Sequence, residues 1–304
     1  MLPSPAGRPR PGPARGERVT DDAPATLLGL ARAAAEEAGQ ILAARRPPGG
    51  SGRPEVTGTK SSPTDVVTEM DRASEALITG RLGSQRPGDA FLGEEGGESG
   101  RGWGRVRWII DPLDGTVNYL YGLADWAVSI AAEVEGTLVA GVVAVPAHGE
   151  VFTAVSGGGA WLQAGGAPPV PLRCNTGVAL AQALVATGFG YGAGRRKVQG
   201  EVVAAVLPRV RDIRRGGSCA VDLCSVAAGR VDAFYERGVN YWDYAAGGLI
   251  ATEAGARLSG LAGKPASPEM AIAAEPVLFG ELHGLLASQH PDRDDPGPVQ
   301  PGPA

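Results

Sequence analysis

The sequence is poor in the residues from which many catalytic and metal sites are built. Its 304 residues include three histidines and three cysteines, namely His148, His283, His290, Cys174, Cys219 and Cys224. No Ser or Cys motif adjoins a histidine, which leaves little basis for a Ser-His-Asp hydrolase or a zinc enzyme. An odd number of cysteines without metal-ligand spacing predicts reduced thiols and a cytoplasmic location.

Long apolar runs and a positive charge excess are also missing. No apolar stretch approaches the roughly 18 residues of a membrane span, so we expect no membrane partner. The formal net charge is −5, which gives no general basic footprint for nucleic acid. The least favoured class is nucleic-acid binding through the Arg-rich arm at 1–20, and unchanged affinity after deletion of that arm would exclude it.

Proline is concentrated at the two ends of the chain. Residues 1–21 combine Pro with Gly and Arg, and residues 291–304 are again Pro-rich. Such composition predicts a disordered arm and a disordered tail. No internal repeat or long linker lies between them, so 22–290 is predicted to be a single domain.

Two kinds of pattern divide that domain. A helix is expected from near Asp22, with Pro24 in its first turn and Leu27, Ala31, Ala34, Ala38 and Ile41 on its buried face, and a second helix at 66–83. Strands follow at 106–110, 127–134, 137–145 and 151–154. Strands at 183–189, 212–215, 231–235 and 270–275 then alternate with helices at 197–210, 218–229, 243–255 and 276–288. A meander followed by alternation predicts layered sheets and helices.

Two carboxylates interrupt the end of a hydrophobic strand in "WIIDPLDGT". Asp111 follows Trp-Ile-Ile directly, and a buried carboxylate without a partner is costly. Its near neighbour Asp114 is also acidic, which would raise the pKa of one of the two. A bound divalent cation resolves this conflict, and carboxylate and carbonyl oxygens favour Mg²⁺ over Zn²⁺.

Three further acidic elements stand near predicted strand ends or helix starts. They are "LGEEGG" at 92–97, "SSPTDVVTEMD" at 61–71 and "YWDYAAG" at 241–247. Each has an ordinary explanation. Glu94 and Glu95 could be a solvated pair, Asp71 a surface acid of a helix, and Asp243 a favourable charge at a helix N-terminus.

Taken together, these motifs resemble those of the inositol monophosphatase family, bacterial branch. "WIIDPLDGTVNY" and "WDYAAGGLIATEAG" are similar to its two signatures, and "GEEGG" and "KSSPTDVVTEMD" to its other acidic motifs. The resemblance runs from about Lys60 to Gly255. It implies a layered α/β/α/β/α sandwich, an α/β (α+β) fold of the inositol monophosphatase and fructose-bisphosphatase type. It also implies a Mg²⁺-dependent, lithium-sensitive phosphatase that forms a homodimer.

The resemblance also assigns roles within this sequence. It implies two to three Mg²⁺ ions, held by Glu94, Asp111, the Leu113 carbonyl, Asp114 and Asp243, with Asp111 bridging two of them. Asp71 and Thr116 would orient and deprotonate the attacking water. The substrate would contact Gly115, Thr116, Arg214, Gly217, Ser218, Cys219, Glu236 and Asp243. Backbone N–H groups of Gly115 and Thr116 would bind the phosphate. The hydroxyl groups of the substrate would be recognised by Gly217, Ser218 and Cys219, together with Glu236.

One departure from the family bears on specificity. Cys219 stands where many family members have Ala, within the expected hydroxyl-reading pocket, so it affects substrate identity and not metal chemistry. A nucleophilic role for Cys219 is disfavoured because no base accompanies it.

The expected activity is hydrolysis of inositol-1-phosphate, or of a related polyol or sugar phosphate, by direct in-line attack of water. Rival substrates within the wider superfamily are histidinol phosphate, fructose-1,6-bisphosphate and 3′-phosphoadenosine nucleotides. A second class of function is a partner-binding regulatory role, because some bacterial members bind the transcription machinery.

Overall fold

A computed structural model describes residues 22–46, 56–59, 66–100 and 104–293. The predicted arm at 1–21 lies outside these ranges, as do residues 60–65 of the first acidic motif and the tail after 293. In chain order, the elements are α1 (Pro24–Arg45), β1 (Val56–Thr59), β2 (Val66–Thr68), α2 (Glu69–Gln85), β3 (Ala90–Gly93), β4 (Gly97–Gly100), β5 (Val106–Asp114), α3 (Thr116–Tyr121), β6 (Ala127–Val134), β7 (Thr137–Val145), β8 (Glu150–Val155), β9 (Gly159–Ala164), β10 (Val170–Pro171), β11 (Leu184–Thr187), α4 (Ala193–Val206), β12 (Asp212–Arg214), α5 (Cys219–Ala227), β13 (Ala233–Glu236), α6 (Tyr241–Glu253), β14 (Arg257–Ser259), β15 (Ala271–Ala274) and α7 (Pro276–Ala287).

The described strands form two main sheets and one small hairpin. The larger sheet has eight strands in the order β10-β9-β8-β7-β6-β5-β3-β4, and only the β3–β5 pair is parallel. The smaller sheet has five strands in the order β12-β11-β13-β15-β14, with β11 parallel to both of its neighbours. Strands β1 and β2 pair with each other.

Alternation along β5 explains why the larger sheet is covered on both faces. Trp108 and Ile110 pack into one core cluster with α1 and α2, whereas Ile109 packs into a second cluster with α5 and α6. Successive residues of a strand point to opposite faces, so a run of apolar residues predicts a strand buried on both sides.

The smaller sheet is covered in the same way. Its inner face packs against the opposite sides of α5 and α6, for example through Phe234 and Leu223. Its outer face packs against α4 and α7, for example through Tyr235, Val202 and Leu282. The order of layers is therefore α/β/α/β/α, and the predicted five-layer sandwich is confirmed.

The N-terminal helix follows its predicted pattern closely. Leu27 and the three alanines of the predicted face are buried, while Ile41 is half-buried and Leu42 takes its place in the core.

The second helix begins later than predicted. Residues 66–68 form β2, and α2 starts at Glu69 because Thr68 is its N-cap. The Thr68 hydroxyl accepts a hydrogen bond from the Met70 N–H at 3.1 Å, and the Asp71 carboxylate accepts one from the Thr68 N–H at 2.8 Å. This capping box fixes the helix start, and Ala73 and Ala76 lie on the exposed face of the helix.

Candidate active site

The site is built on an irregularity at the end of β5. Asp111 pairs with Ser129 and Asp114 with Ala127, so three steps along β5 match two steps along β6. Such a bulge re-aims the side chains that follow it. The Leu113 N–H donates to Asp111 Oδ1 at 3.0 Å, which holds the bend closed.

Gly115 is required where β5 passes into α3. Its φ is +87°, and a Cβ at this position would lie 2.8 Å from the Asp125 carbonyl oxygen and 3.2 Å from Trp126 Cα. Only glycine combines this backbone conformation with so close an approach. The turn between β5 and α3 therefore needs a residue without a side chain at position 115.

Five acidic residues line a single pocket of about 520 Å³, and four of them belong to the predicted set of metal ligands. Asp111 and Asp114 come from β5, Glu94 from the turn after β3, and Asp243 from the first turn of α6. Three segments distant in sequence thus bring these four carboxylates together, and with Leu113 beside them they form what we call the acidic wall of the pocket.

Burial and mutual repulsion govern the charge of this wall. Burial raises the pKa of Asp243 well above its usual range, and the charges of Glu94 and Asp114 raise it further. Burial also raises the pKa of Asp114, although hydrogen bonds from Ser218 Oγ at 2.6 Å and the Ala220 N–H at 2.7 Å favour its charged form. Without a cation, the wall resists full ionisation.

The donors of this wall suit a hard cation. They are carboxylate and carbonyl oxygens without histidine or thiolate at the acidic wall, which is the ligand set of Mg²⁺. Within the described ranges, no three His, Cys, Asp or Glu side chains are grouped tightly enough to hold a metal ion by themselves. The donor chemistry and the like-charge repulsion fit Mg²⁺, and the ion itself stays a prediction.

Thr116 and Asp71, the two residues predicted to be catalytic, are hydrogen-bonded to each other beside the pocket. Thr116 Oγ1 lies 3.0 Å from both Asp71 Oδ1 and the Leu113 carbonyl oxygen, and its single proton can be donated to one of them at a time. Asp71 is fully buried, and its second oxygen accepts from the Thr68 hydroxyl at 2.6 Å. Asp71 is therefore not a surface acid of the helix.

A buried carboxylate that the sequence analysis did not single out shapes the turn of Glu94. Glu75 accepts hydrogen bonds from the N–H groups of Glu95 at 2.9 Å and Gly96 at 2.8 Å. A Cβ at Gly93 or Gly96 would lie within 2.7 Å of the Glu75 carboxylate. The glycines of "GEEGG" thus let Glu75 bind the turn directly.

Most of the predicted substrate residues reach the pocket, but with different roles. Gly115, Gly217, Cys219 and Glu236 line it. Ser218 does not line it; its side chain caps α5 by accepting from the Val221 N–H at 3.2 Å, in addition to its bond to the Asp114 carboxylate.

Burial also raises the pKa values of two groups on the substrate side of the pocket, the Glu236 carboxyl and the Cys219 thiol. It raises the pKa of Glu236 to about 8, with a further contribution from Asp114, while Arg215 opposes the shift. It raises the pKa of the Cys219 thiol well above its usual range, and a neutral thiol is a poor nucleophile. The described cysteines are all buried and free.

The structure places Arg214 away from the pocket and its neighbour Arg215 in it. The exposed Arg214 guanidinium donates to Asp212 Oδ2 at 2.5 Å and to the Ile213 carbonyl at 2.9 Å. Pocket residues that the sequence analysis missed are Phe189, Gly190, Tyr191, Arg195, Arg215, Arg237, Gly238, Val239, Asn240 and Trp242. The sequence holds one signal for Arg215. Arg214 ends β12 and Arg215 follows it, and because adjacent residues of a strand point to opposite sides, the two arginines are expected to face different surroundings.

Among the described residues, no helix combines enough length with enough apolar character to cross a bilayer.

The fold and pocket define a layered α/β protein with an oxygen-lined acidic site. Comparison with known proteins gives the family. The model of the inositol monophosphatase family matches residues 24–293, and the chain therefore belongs to the inositol monophosphatase family of phosphatases.

Individual relatives agree with this assignment. The chain is 48% identical over 248 residues to the inositol-1-monophosphatase of Mycobacterium bovis, covering 78% of this chain and 85% of the relative. It is 39% identical over 230 residues to the Nus factor SuhB of Pasteurella multocida, covering 75% of this chain and 83% of the relative. Its fold matches Mycobacterium tuberculosis SuhB with a TM-score of 0.75 at 43% identity, over 90% of this chain and all of that one.

Proposed function

We propose that this protein is a Mg²⁺-dependent phosphomonoesterase that hydrolyses inositol-1-phosphate or a related polyol or sugar phosphate. The observation that carries the proposal is the convergence of Glu94, Asp111, Asp114 and Asp243 on one pocket, beside the Thr116–Asp71 hydrogen bond. The relative from M. bovis, named an inositol-1-monophosphatase, supports the choice of substrate.

The chain's own groups have separable tasks in this reaction. Thr116 Oγ1, held by Asp71, orients the attacking water and relays its proton to the Asp71 carboxylate. The backbone at Gly115 and Thr116 offers N–H groups to the phosphate, and Glu236, Gly217 and Cys219 contact the alcohol portion. Water attacks phosphorus in line and gives its proton to Asp71, while the bond from phosphorus to the ester oxygen breaks. The ester oxygen takes a proton from solvent water and leaves as the alcohol, so no phosphoenzyme forms.

The four acids and the Leu113 carbonyl would hold two to three Mg²⁺ ions. When bound, Mg²⁺ supplies positive charge to the phosphoryl oxygens and lowers the pKa of the attacking water. Phosphate monoesters hydrolyse extremely slowly without a catalyst, so stabilisation of developing charge contributes most to the rate.

The test is phosphate release from inositol-1-phosphate, histidinol phosphate, fructose-1,6-bisphosphate and 3′-phosphoadenosine 5′-phosphate, with Mg²⁺ and with EDTA. We expect Mg²⁺-dependent turnover of inositol-1-phosphate that Asp111→Asn removes and Glu269→Gln retains, since Glu269 is an exposed acid paired with Lys264. Turnover that is equal in EDTA would overturn the metal dependence. Lithium inhibition is part of the proposal, and unchanged activity across millimolar LiCl counts against it.

A second candidate, favoured by the relative named Nus factor SuhB, is binding to the transcription machinery. Binding to purified transcription components that persists in Asp111→Asn, together with no turnover of any phosphate ester in the panel, would favour this role. We also propose a cytoplasmic homodimer, which sedimentation of the purified chain would test.

A further inference from the structure

Two strands of the smaller sheet separate where they reach the pocket. Strands β11 and β13 run parallel, and their last paired residues are Thr187 and Tyr235. Beyond this pair, the segments 189–191 and 236–240 both line the pocket. The crevice at the carboxyl ends of parallel strands is where open α/β sheets bind ligands, so the spacing of these two segments bears on what the pocket binds.

One side chain joins the two segments beyond the end of the strand pairing. Gln199 is buried on the inner face of α4 and does not itself line the pocket. Its Oε1 accepts a hydrogen bond from the Gly190 N–H at 3.0 Å, and its Nε2 donates one to the Arg237 carbonyl oxygen at 3.3 Å. A carboxamide has both an acceptor and a donor end, so Gln199 links the two backbones as a further pair of sheet hydrogen bonds would.

Packing alone does not call for a glutamine at this position. The other buried residues of α4 are Val198, Val202 and Val206, and the last two belong to the core under the smaller sheet. A buried amide is costly unless both of its ends are hydrogen-bonded, whereas an unbranched apolar side chain of similar size fills the same space without that requirement. The polar ends of Gln199 therefore point to a role in holding the two segments together.

Glu236 belongs to one of the bridged segments and rests against the other. It directly precedes Arg237, whose carbonyl oxygen the bridge holds. Its carboxylate lies so close to the first segment that a Cβ at Gly188 would collide with it. Movement of either segment would therefore shift the Glu236 carboxylate or the backbone on which it rests.

We propose that Gln199 is a positioning residue for recognition of the alcohol portion of the substrate. By bridging Gly190 and Arg237, it sets the place of the Glu236 carboxylate in the pocket. The inference rests on the proposed function, which assigns Glu236 to the alcohol portion. Because Gln199 touches no reacting atom, its loss should weaken recognition of the substrate's hydroxyl groups and leave the acidic wall intact.

The first measurement compares two phosphomonoesters in Gln199→Met. Inositol-1-phosphate presents hydroxyl groups to Glu236, whereas p-nitrophenyl phosphate presents none and still requires the acidic wall. Loss of one neutral hydrogen bond changes an equilibrium by about 2- to 10-fold. With both bonds of the bridge lost, KM for inositol-1-phosphate should rise by about tenfold, while kcat changes by less than about twofold.

For p-nitrophenyl phosphate, kcat/KM should change by less than about twofold in the same variant. Gln182→Met is the matched control, because Gln182 is exposed and does not line the pocket, and it should leave both esters unaffected. Equal losses for the two esters in Gln199→Met would mean that Gln199 supports the fold in general, and would overturn the positioning role.

A measurement on the native protein covers the case in which Gln199→Met does not fold. The Gly190 N–H has Gln199 Oε1 as its acceptor, whereas Gly192 is an exposed residue two positions further on. Hydrogen exchange should therefore be slower at the Gly190 amide than at the Gly192 amide by about tenfold or more. Equal exchange rates at the two amides would overturn the bridge.

Binding separates failure of this proposal from failure of the proposed function. Calorimetry on Asp71→Asn, in which turnover is suppressed, should show that adding Gln199→Met weakens binding of inositol-1-phosphate by about tenfold. Gln199-dependent binding without turnover of either ester by the native chain would contradict the phosphatase function and retain the positioning role. Turnover of both esters with no Gln199-dependent difference between them would retain the phosphatase and overturn the positioning role.

Discussion

At the scale of single residues, the acids of the site serve the fold and the pocket together. Asp71 is the third residue of α2 and Asp243 the third of α6, and each accepts from the backbone N–H of the residue before its helix. The helix-capping explanation of Asp243 and its predicted site role are therefore compatible. Asp243 Oδ2 accepts a hydrogen bond from the Asn240 N–H at 2.6 Å, and this bond fixes the Asp243 carboxylate at the pocket.

Glu236 gives the site a pH-dependent stability when metal is absent. Its pKa is raised to about 8 in the folded state and is near 4.3 in an unfolded chain. The folded state binds the extra proton between these values, so its stability is greatest below the lower value and falls as pH rises towards 8. In EDTA, denaturant titrations should show a loss of up to roughly 1.4 kcal/mol per pH unit across this window.

The control for that titration removes the ionisable group. Glu236→Gln keeps the size of the side chain and should lose this part of the pH dependence, while Glu269→Gln should retain it. A native protein and a Glu236→Gln variant with parallel stability curves from pH 5 to 8 would contradict the assignment.

The residues that sequence could identify are those whose chemistry is local. Asp111, Asp114 and Asp243, which line the pocket, were predicted as site residues because each follows a predicted strand or starts a predicted helix, where an acidic residue calls for an explanation. Arg195 and Glu75 carry no such signal. Their places depend on which glycines pack beside them, namely the pairs Gly190 and Gly238, and Gly93 and Gly96, and this is decided only when distant segments meet.

At the scale of secondary-structure elements, the well-predicted ones have long, regular patterns. Strands β6 and β7 match their predicted bounds because each is a long, mostly apolar run bounded by turn residues. Strand β3 has only four residues and was missed. The glycines of "GGGAW" at 157–161 favour a turn by composition, but β9 begins at the third of them.

The β5–α3 turn should not tolerate a side chain at Gly115. Gly115→Ala adds strain at φ +87° and a clash with the Asp125 carbonyl oxygen. We expect destabilisation of about 2–4 kcal/mol, from roughly 1–3 kcal/mol for the backbone conformation and a further contribution from overpacking, together with loss of phosphatase activity.

Gly157→Ala is the matched control for this turn. Its φ is +72°, and nothing lies within 4 Å of the added Cβ, so it measures conformational strain without the clash. Urea denaturation of both variants gives the comparison. Equal destabilisation would show that the close approach to Asp125 contributes nothing.

The turn between β3 and β4 should depend on Glu75. Glu75→Ala leaves the Glu95 and Gly96 N–H groups without their acceptor and loosens the position of Glu94. Mutation of a group that orients a metal ligand typically lowers metal affinity by 10- to 100-fold. The Mg²⁺ concentration for half-maximal activity should therefore rise by about tenfold.

Two further variants make this experiment specific. Glu75→Gln retains one acceptor oxygen and should show a smaller rise, and Glu69→Ala, an exposed acid of the same helix, should show none. An unchanged Mg²⁺ dependence in Glu75→Ala would remove Glu75 from the site's support.

At the scale of the whole molecule, the pocket is lined by residues from both main sheets and from the helix layer between them. Its lining comes from β5 in the larger sheet, from α6 and the start of α5 in the central layer, and from β13 in the smaller sheet. The central helices are packed closely: a Cβ at Gly247 would lie 3.0 Å from Leu223 Cβ. Interior packing of this density transmits strain, so a ligand in the pocket should stabilise both sheets together.

Mg²⁺ should therefore raise the stability of the whole domain. A ligand that binds only the folded state adds about 2.7 kcal/mol at 100 times its dissociation constant. For a domain of this size each kcal/mol shifts Tm by about 2–4 °C, so saturating Mg²⁺ should raise Tm by roughly 5–10 °C over EDTA at matched ionic strength. Asp111→Asn should lose most of this rise, because it removes a charge from the acidic wall, and Glu269→Gln should keep it. A native Tm that is the same with Mg²⁺ and with EDTA would mean that the four acids do not hold a metal, whatever the activity measurements show.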